Sequence, residues 1–171
     1  ILFLMKTGFN GIWQINQNTN GRFGTPCGLL NQKDKVYDRD NVMAWHHALQ
    51  RCTLLSGDFA AVLPKIRHQL VHRDAFVFLD PPYRGSFTQY GVDFDDDMQQ
   101  RVVDFLNDTK ELGAYTLMSN RDVGDGFFED RASGNELIRF DITYTAGRRK
   151  KHEDGTYTAK KAREILMIGK N

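Results

Sequence analysis

Phe76-Val77-Phe78-Leu79-Asp80-Pro81-Pro82-Tyr83 is the stretch that decides how this chain folds. Aromatic and β-branched residues in an unbroken apolar run predict a short buried strand. The acid and the two prolines that follow end it. Proline has no N–H for a sheet ladder and fixes φ, so the turn after Leu79 is stiff. A strand stopping at such a tip suits the carboxyl edge of an open α/β sheet, where ligands bind. The tip offers a carboxylate, a proline carbonyl that no local donor need occupy, and a ring that can stack.

Working outward, the next segments alternate. Asp95, Asp96 and Asp97 open a helix through Val102, Val103, Leu106 and Leu112, with Gly113 as its stop. Ala114–Met118 reads as a second buried strand that ends at Ser119-Asn120-Arg121-Asp122. Leu137–Tyr144 and Glu164–Ile168 read as two more strands around the basic loop Arg148-Arg149-Lys150-Lys151. Upstream, a helix is expected from about Ala60 to Gln69, with Pro64 limiting its first turn. Another is expected from Asn41, as cap, to about Leu55, with Val42, Trp45, Ala48, Leu49 and Cys52 on one face; the alternative for Cys52–Leu55 is a short strand. Gln17-Asn18-Thr19-Asn20-Gly21 ends in a hairpin signal between the short strands Ile12–Asn16 and Arg22–Pro26. Residues 1–6 read as the end of a helix or strand. Strands alternating with helices and closing in a hairpin give an α/β sheet with an antiparallel edge.

Composition sets bounds on function. With 171 residues, 40% hydrophobic and 26% charged, the chain can build one ordinary core. A formal net charge of +1 gives no global nucleic-acid signature, so any such surface must come from local clusters. Cys27 and Cys52 form no metal or disulfide pattern, which fits a reducing, cytoplasmic setting. No apolar run approaches the roughly 18 residues of a membrane span. The aspartates at 93, 95, 96 and 97 sit at a helix start, where carboxylates cap, so no metal is expected there. His46 and His47 are adjacent and face different sides of a helix, which argues against a shared metal.

The tetrad has a specific chemical use. An exocyclic amine on adenine or cytosine is a weak nucleophile because its lone pair is delocalised into the ring. The Asp80 carboxylate and the Pro81 carbonyl can accept both amine hydrogens and favour a pyramidal nitrogen. Prolines set that geometry in advance, which is where orientation and electrostatics act most strongly. Tyr83 can stack on a base drawn out of a duplex. The other reading is an ordinary strand end with a proline turn.

Asp80–Tyr83, Gly57-Asp58-Phe59 and Leu117-Met118-Ser119-Asn120 together resemble the Dam-type DNA adenine N6-methyltransferases. Thr7-Gly8-Phe9-Asn10-Gly11 and Phe23-Gly24-Thr25-Pro26-Cys27-Gly28 resemble that family's target-recognition segment, so the likeness covers most of the chain. The resemblance implies a partial Rossmann-like methyltransferase sheet in residues 51–171 and a DNA-recognition segment in residues 1–50. It implies S-adenosylmethionine as methyl donor, double-stranded DNA as partner and no metal. Asp80, Pro81, Pro82 and Tyr83 would form the catalytic loop, and Asp58, Phe59 and Asp80 would hold the cofactor. Lys6, Phe9, Asn10, Gln14 and Arg22 would meet DNA, with Arg148, Arg149, Lys150 and Lys151 neutralising phosphates. For Phe9 the alternative is a hydrophobic anchor of the glycine turn, and for the basic loop a solvated hairpin.

Two departures from the family pattern matter. Gln14 stands where GATC readers commonly carry arginine; arginine pairs with guanine and glutamine suits adenine, which argues against GATC. The glycine-rich cofactor loop and the Gly-Gly-Lys segment are missing. Together with the non-initiator Ile1, this leads to the expectation of a C-terminal part whose cofactor loop lies upstream. The expected reaction is direct transfer to a flipped adenine, in a phage or restriction-modification setting. Covalent carbon methylation of cytosine is not expected. The alternatives are an RNA base N-methyltransferase sharing the tetrad and a catalytically silent DNA-binding fragment.

Overall fold

The computed structural model describes residues 1–28, 38–71, 75–86, 93–144, 150–151 and 157–170. It divides into two compact units, Ile1–Leu55 and Ser56–Asn171.

In the first unit, α1 (Leu2–Thr7) runs into a glycine turn, then β1 (Ile15–Asn16) pairs antiparallel with β2 (Arg22–Phe23). Both strands are shorter than the sequence suggested. Asn20 and Gly21 take left-handed backbone, φ 52° and 75°, which closes the hairpin. Backbone bonds lace the turn to the hairpin's far side: Phe9 N–H to the Pro26 carbonyl and Gly28 N–H to the Thr7 carbonyl, both 2.8 Å. The helix α2 (Arg39–Leu49) begins earlier than expected. Its cap is Asp38, not Asn41, because the Asp38 carboxylate accepts the Asn41 N–H at the third helical position. It stops at Leu49, so Cys52 lies beyond the helix.

In the second unit, a 3-10 turn over Phe59–Val62 leads into α3 (Leu63–Leu70), with Pro64 in its first turn. β3 (Phe76–Leu79) follows, then α4 (Asp96–Glu111), β4 (Tyr115–Asp122) and β5 (Glu136–Tyr144). β6 (Lys150–Lys151) pairs with β7 (Tyr157–Thr158), and β8 (Lys160–Gly169) completes the set. The main sheet is mixed, in the order β3-β4-β8-β5. β3 and β4 are parallel with α4 as their crossover, whereas β8 is antiparallel to both its neighbours. The fold is therefore α/β, with the antiparallel β5–β8 pair at one edge of the sheet.

Local chemistry sets the limits of α4. Asp95 caps it by accepting the Met98 N–H at 3.0 Å, and Asp96 and Asp97 offset the dipole in its first turn. Gly113 stops it at φ 104°, a conformation that penalises any side chain. Val102, Val103, Phe105 and Leu106 are buried on its inner face. Val102, Val103 and Leu106 form one cluster with Phe127, Phe128 and the fully buried Met118, Ile165 and Met167 of β4 and β8. Burying a side chain of this size contributes about 1.5–3 kcal/mol.

Alternation in the strands separates two faces. Thr116, Met118, Asn120 and Asp122 point to the helix side and are buried. On the other side the register aligns Phe76 with Tyr115, and Leu166 with Ile138. This face is open within the unit: Phe76 is 64% exposed and Phe78 54%. The expectation of a fully buried strand at Phe76–Leu79 is thus corrected. β3 is the outermost strand of the described sheet, and only its Val77 and Leu79 side is partly covered.

Candidate active site

The tetrad emerges from the carboxyl end of β3, beside β4. Asp80 is exposed, whereas Pro81, Pro82 and Tyr83 are half-buried. Ser119 donates its hydroxyl to Asp80 Oδ1 at 2.7 Å, which holds the carboxylate. Ser119 and Asn120 were read as a strand end. They lie inside β4, which continues to Asp122 because β8 pairs with it through Asp122 and Arg163. That extension places the Ser119 side chain under the acid.

The far side of the turn is fastened by Arg84. Its Nε and Nη2 donate to the two Asp96 oxygens at 2.6 and 2.7 Å, and its Nη1 donates to both Asp125 oxygens at 2.6 and 2.7 Å. The guanidinium also lies 4.1 Å from the centre of the Phe127 ring. Hydrogen bonding to Arg84 holds Asp96 and Asp125 below the ordinary carboxylate range. Inside the turn, Gln99 Nε2 donates to the Pro82 carbonyl at 2.8 Å and Asn120 Oδ1 accepts the Arg84 N–H at 2.9 Å. Sequence reading missed Arg84 and Gln99. The available signal was a glutamine at a core position of α4, one turn before Val102 and Val103.

Tyr83 sits among polar partners. Burial raises its phenol above the ordinary value, and the nearby Glu164 carboxylate adds to the shift. Tyr144 donates to Glu164 Oε1 at 2.9 Å, and burial with that bond pushes its phenol up to about 12. Both rings are thus neutral through the physiological range. Glu164, on β8, is a second carboxylate close to the tetrad that the sequence did not single out.

Of the residues expected to hold a cofactor, Asp58 caps the 3-10 turn, accepting the Ala60 N–H at 2.9 Å. Both its oxygens also accept from Arg101 Nη2 at 2.9 Å, which lowers its pKa. Phe59 packs edge-on against Phe105, 5.7 Å between centres, and is not a free ring. Asp58 remains half-exposed at its side chain, and two carboxylate oxygens can take more than these three donors. A cleft of about 470 Å³ opens elsewhere, lined by Asp122, Gly124, Asp141, Lys161 and Arg163.

Lys6, Phe9, Asn10, Gln14 and Arg22 all lie in the first unit and are exposed. Asn10 takes φ 53°, a left-handed conformation that asparagine tolerates better than most residues. Gln14 is pinned by its backbone, its N–H to Thr25 Oγ1 at 3.2 Å and its carbonyl from Gly24 N–H at 2.7 Å. Its exposed side chain is left outside that lacing. Trp13, expected only as part of a short strand, stacks at a tilt on Phe23 with 5.0 Å between ring centres. Lys150 and Lys151 form β6, and Arg148 and Arg149 lie outside the described residues. Asp95 and Asp96 are engaged in capping and in pairing with Arg84. Among the described residues, no cluster of three metal-ligating side chains occurs. Nor is any helix there long and apolar enough to cross a membrane.

Comparison with known proteins extends this geometry. The family model of D12 class N6 adenine-specific DNA methyltransferases matches residues 1–152. The type II methyltransferase M.MjaIII of Methanocaldococcus jannaschii is 34% identical over 125 residues, 70% of this chain and 40% of the relative. The DNA N-6-adenine-methyltransferase of Escherichia phage P1 is 33% identical over 125 residues, 70% of this chain and 15% of the relative. The retron Ec67 DNA adenine methylase of Escherichia coli is 28% identical over 122 residues, 71% of this chain and 40% of the relative. The chain thus spans less than half the length of each of these relatives.

Proposed function

Because the chain belongs to the D12 class of N6 adenine-specific DNA methyltransferases, we propose that its Asp80–Tyr83 turn methylates adenine N6 in duplex DNA. One observation carries the reading. An acid anchored by Ser119 stands at the end of β3 beside a proline carbonyl, on a turn fastened by Arg84. Asp80 and the Pro81 carbonyl accept the two hydrogens of the adenine amine, which frees the nitrogen lone pair for attack. Tyr83, neutral, stacks on a base turned out of the duplex. S-adenosylmethionine, when bound, supplies the electrophilic methyl group, and Asp58 and Asp80 are the residues suited to hold it. The first unit reads DNA through Phe9, Asn10 and Gln14, with Lys6 and Arg22 on phosphates; in the second unit the basic loop at Arg148–Lys151 also neutralises phosphates.

The test is Asp80→Ala in the full-length protein. Transfer of a tritiated methyl group to duplex oligonucleotides is expected to fall by about a thousandfold, the scale of losing a preorganised electrostatic partner. DNA affinity is expected to change less than about threefold, since phosphate contacts dominate it. Retained turnover in Asp80→Ala removes the role. Methylation of structured RNA in preference to duplex DNA replaces the substrate.

A further inference from the structure

Gln99 is 1% exposed and Asn120 fully buried, in the same unit as the hydrophobic cluster of valine, leucine, methionine, isoleucine and phenylalanine side chains. An unpaired amide there costs about 1–3 kcal/mol. Neither is unpaired. Gln99 Nε2 donates to the Pro82 carbonyl at 2.8 Å, and Gln99 Oε1 accepts from Asn120 Nδ2 at 2.8 Å. Asn120 Oδ1 accepts the Arg84 and Arg121 N–H groups at 2.9 and 2.7 Å. The two ends of this chain are backbone groups of fixed sense. A carbonyl only accepts and an N–H only donates, so each amide has one permitted orientation.

We propose that Gln99 and Asn120 are positioning residues, a directional amide relay that decides which carbonyl of the catalytic turn faces the substrate amine. This rests on reading the turn as catalytic. The relay grips both sides of Tyr83, at the Pro82 carbonyl and the Arg84 N–H, and turns Pro82 inward. No described residue donates to the Pro81 carbonyl, so it remains the backbone acceptor beside Asp80. With an apolar pair in place of the two amides, the Pro82 carbonyl would be free to rotate and compete for the amine.

Asn120→Asp in the full-length protein tests the relay at nearly constant volume. The introduced carboxylate still accepts from Arg84 and Arg121 but no longer donates to Gln99. Gln99 must then turn its oxygen toward the Pro82 carbonyl. The kcat for duplex methylation is expected to fall about ten- to a hundredfold, the scale of one buried unmet hydrogen bond. The KM for DNA is expected to move less than about threefold, because the phosphate contacts that dominate DNA affinity are untouched. Gln99→Glu supplies a readout that mere packing would not move. Its carboxylate opposes the Pro82 carbonyl, whereas its protonated form donates to it, so kcat relative to the unaltered protein is expected to rise as pH falls. Unchanged kcat in Asn120→Asp, or an unaltered pH profile in Gln99→Glu, overturns the relay. If Asn120→Asp fails to fold, Gln99→Met carries the same expectation. In the 171-residue chain, Gln99→Met is also expected to speed amide hydrogen exchange at Arg84 about tenfold. Unchanged exchange rejects the relay even if the unaltered protein methylates nothing, an outcome that counts against the reading of the turn alone.

Discussion

Between Ile1 and Leu55 no described side chain is buried, and Phe3, Phe9, Trp13, Ile15 and Trp45 all stand exposed. Between Ser56 and Asn171, one helix and two strands close a core around Met118, Ile165 and Met167. The first unit is held by backbone hydrogen bonds and turn residues, the second by apolar burial with amides and ion pairs set into it. Backbone lacing fixes a shape without hiding side chains, so residues such as Phe9, Asn10 and Gln14 stay available for contact. A packed core does the opposite. It hides side chains and holds a few polar ones, Gln99 and Asn120 among them, in one geometry.

Substitutions can break this contrast. Met118→Ala is expected to destabilise the second unit by about 2–5 kcal/mol in chemical denaturation, since it leaves a void at a fully buried site. Trp13→Ala, on a side chain 43% exposed, is expected to cost no more than about 1 kcal/mol. Similar losses would mean that the first unit has a core of its own. Arg84→Met comes next. Asp96 and Asp125 have pKa values below the ordinary 3.8, chiefly through Arg84. Their contribution to stability is complete above 3.8 and fades as pH falls through their lowered folded values. Arg84→Met is expected to flatten that acid limb, and an unchanged limb would deny the clamp.

Weaker effects follow. Tyr144 is expected to ionise near pH 12 by ultraviolet titration, and Glu164→Gln to bring it part of the way back toward 10. The raised folded value means that this contribution is complete below pH 10 and lost as pH rises toward 12. Full retention of the shift in Glu164→Gln would assign it to burial alone. Smallest in energy is Gln14→Arg, on an exposed side chain. Melting should not change, and only the preferred sequence in a randomised-site library should move, toward guanine. Altered melting with unchanged preference would make Gln14 a structural residue.

What the sequence disclosed follows from the range of the interactions. The β3 strand and its proline stop, the Asp95 cap and the Gly113 stop are local signals, legible within a few residues. Asp38 was missed as a cap because Asn41, three residues later, offers the same chemistry. The extension of β4 through Ser119 and Asn120 was not legible, since it depends on pairing with residues 163–166, far along the chain. The same holds for Arg84, Gln99 and Glu164, whose partners are distant in sequence. The exposure of Phe76 and Phe78 could not be read from an apolar run, because a run does not say which of its faces will be covered.

The position of β8 has a kinetic consequence. Of the described strands it comes last in sequence yet sits between β4 and β5, and its Ile165 and Met167 are fully buried in the core. During synthesis, β3, α4 and β4 can associate early, but β5 has no neighbour to pair with until residues 160–169 emerge. The sheet must wait, open, for its central strand, and the closing step joins residues more than forty positions apart along β4 and β8. Such late, non-local closure is slow and leaves strand edges exposed meanwhile. Yield of folded protein should therefore respond to temperature and elongation rate more than the stability of the finished core would suggest.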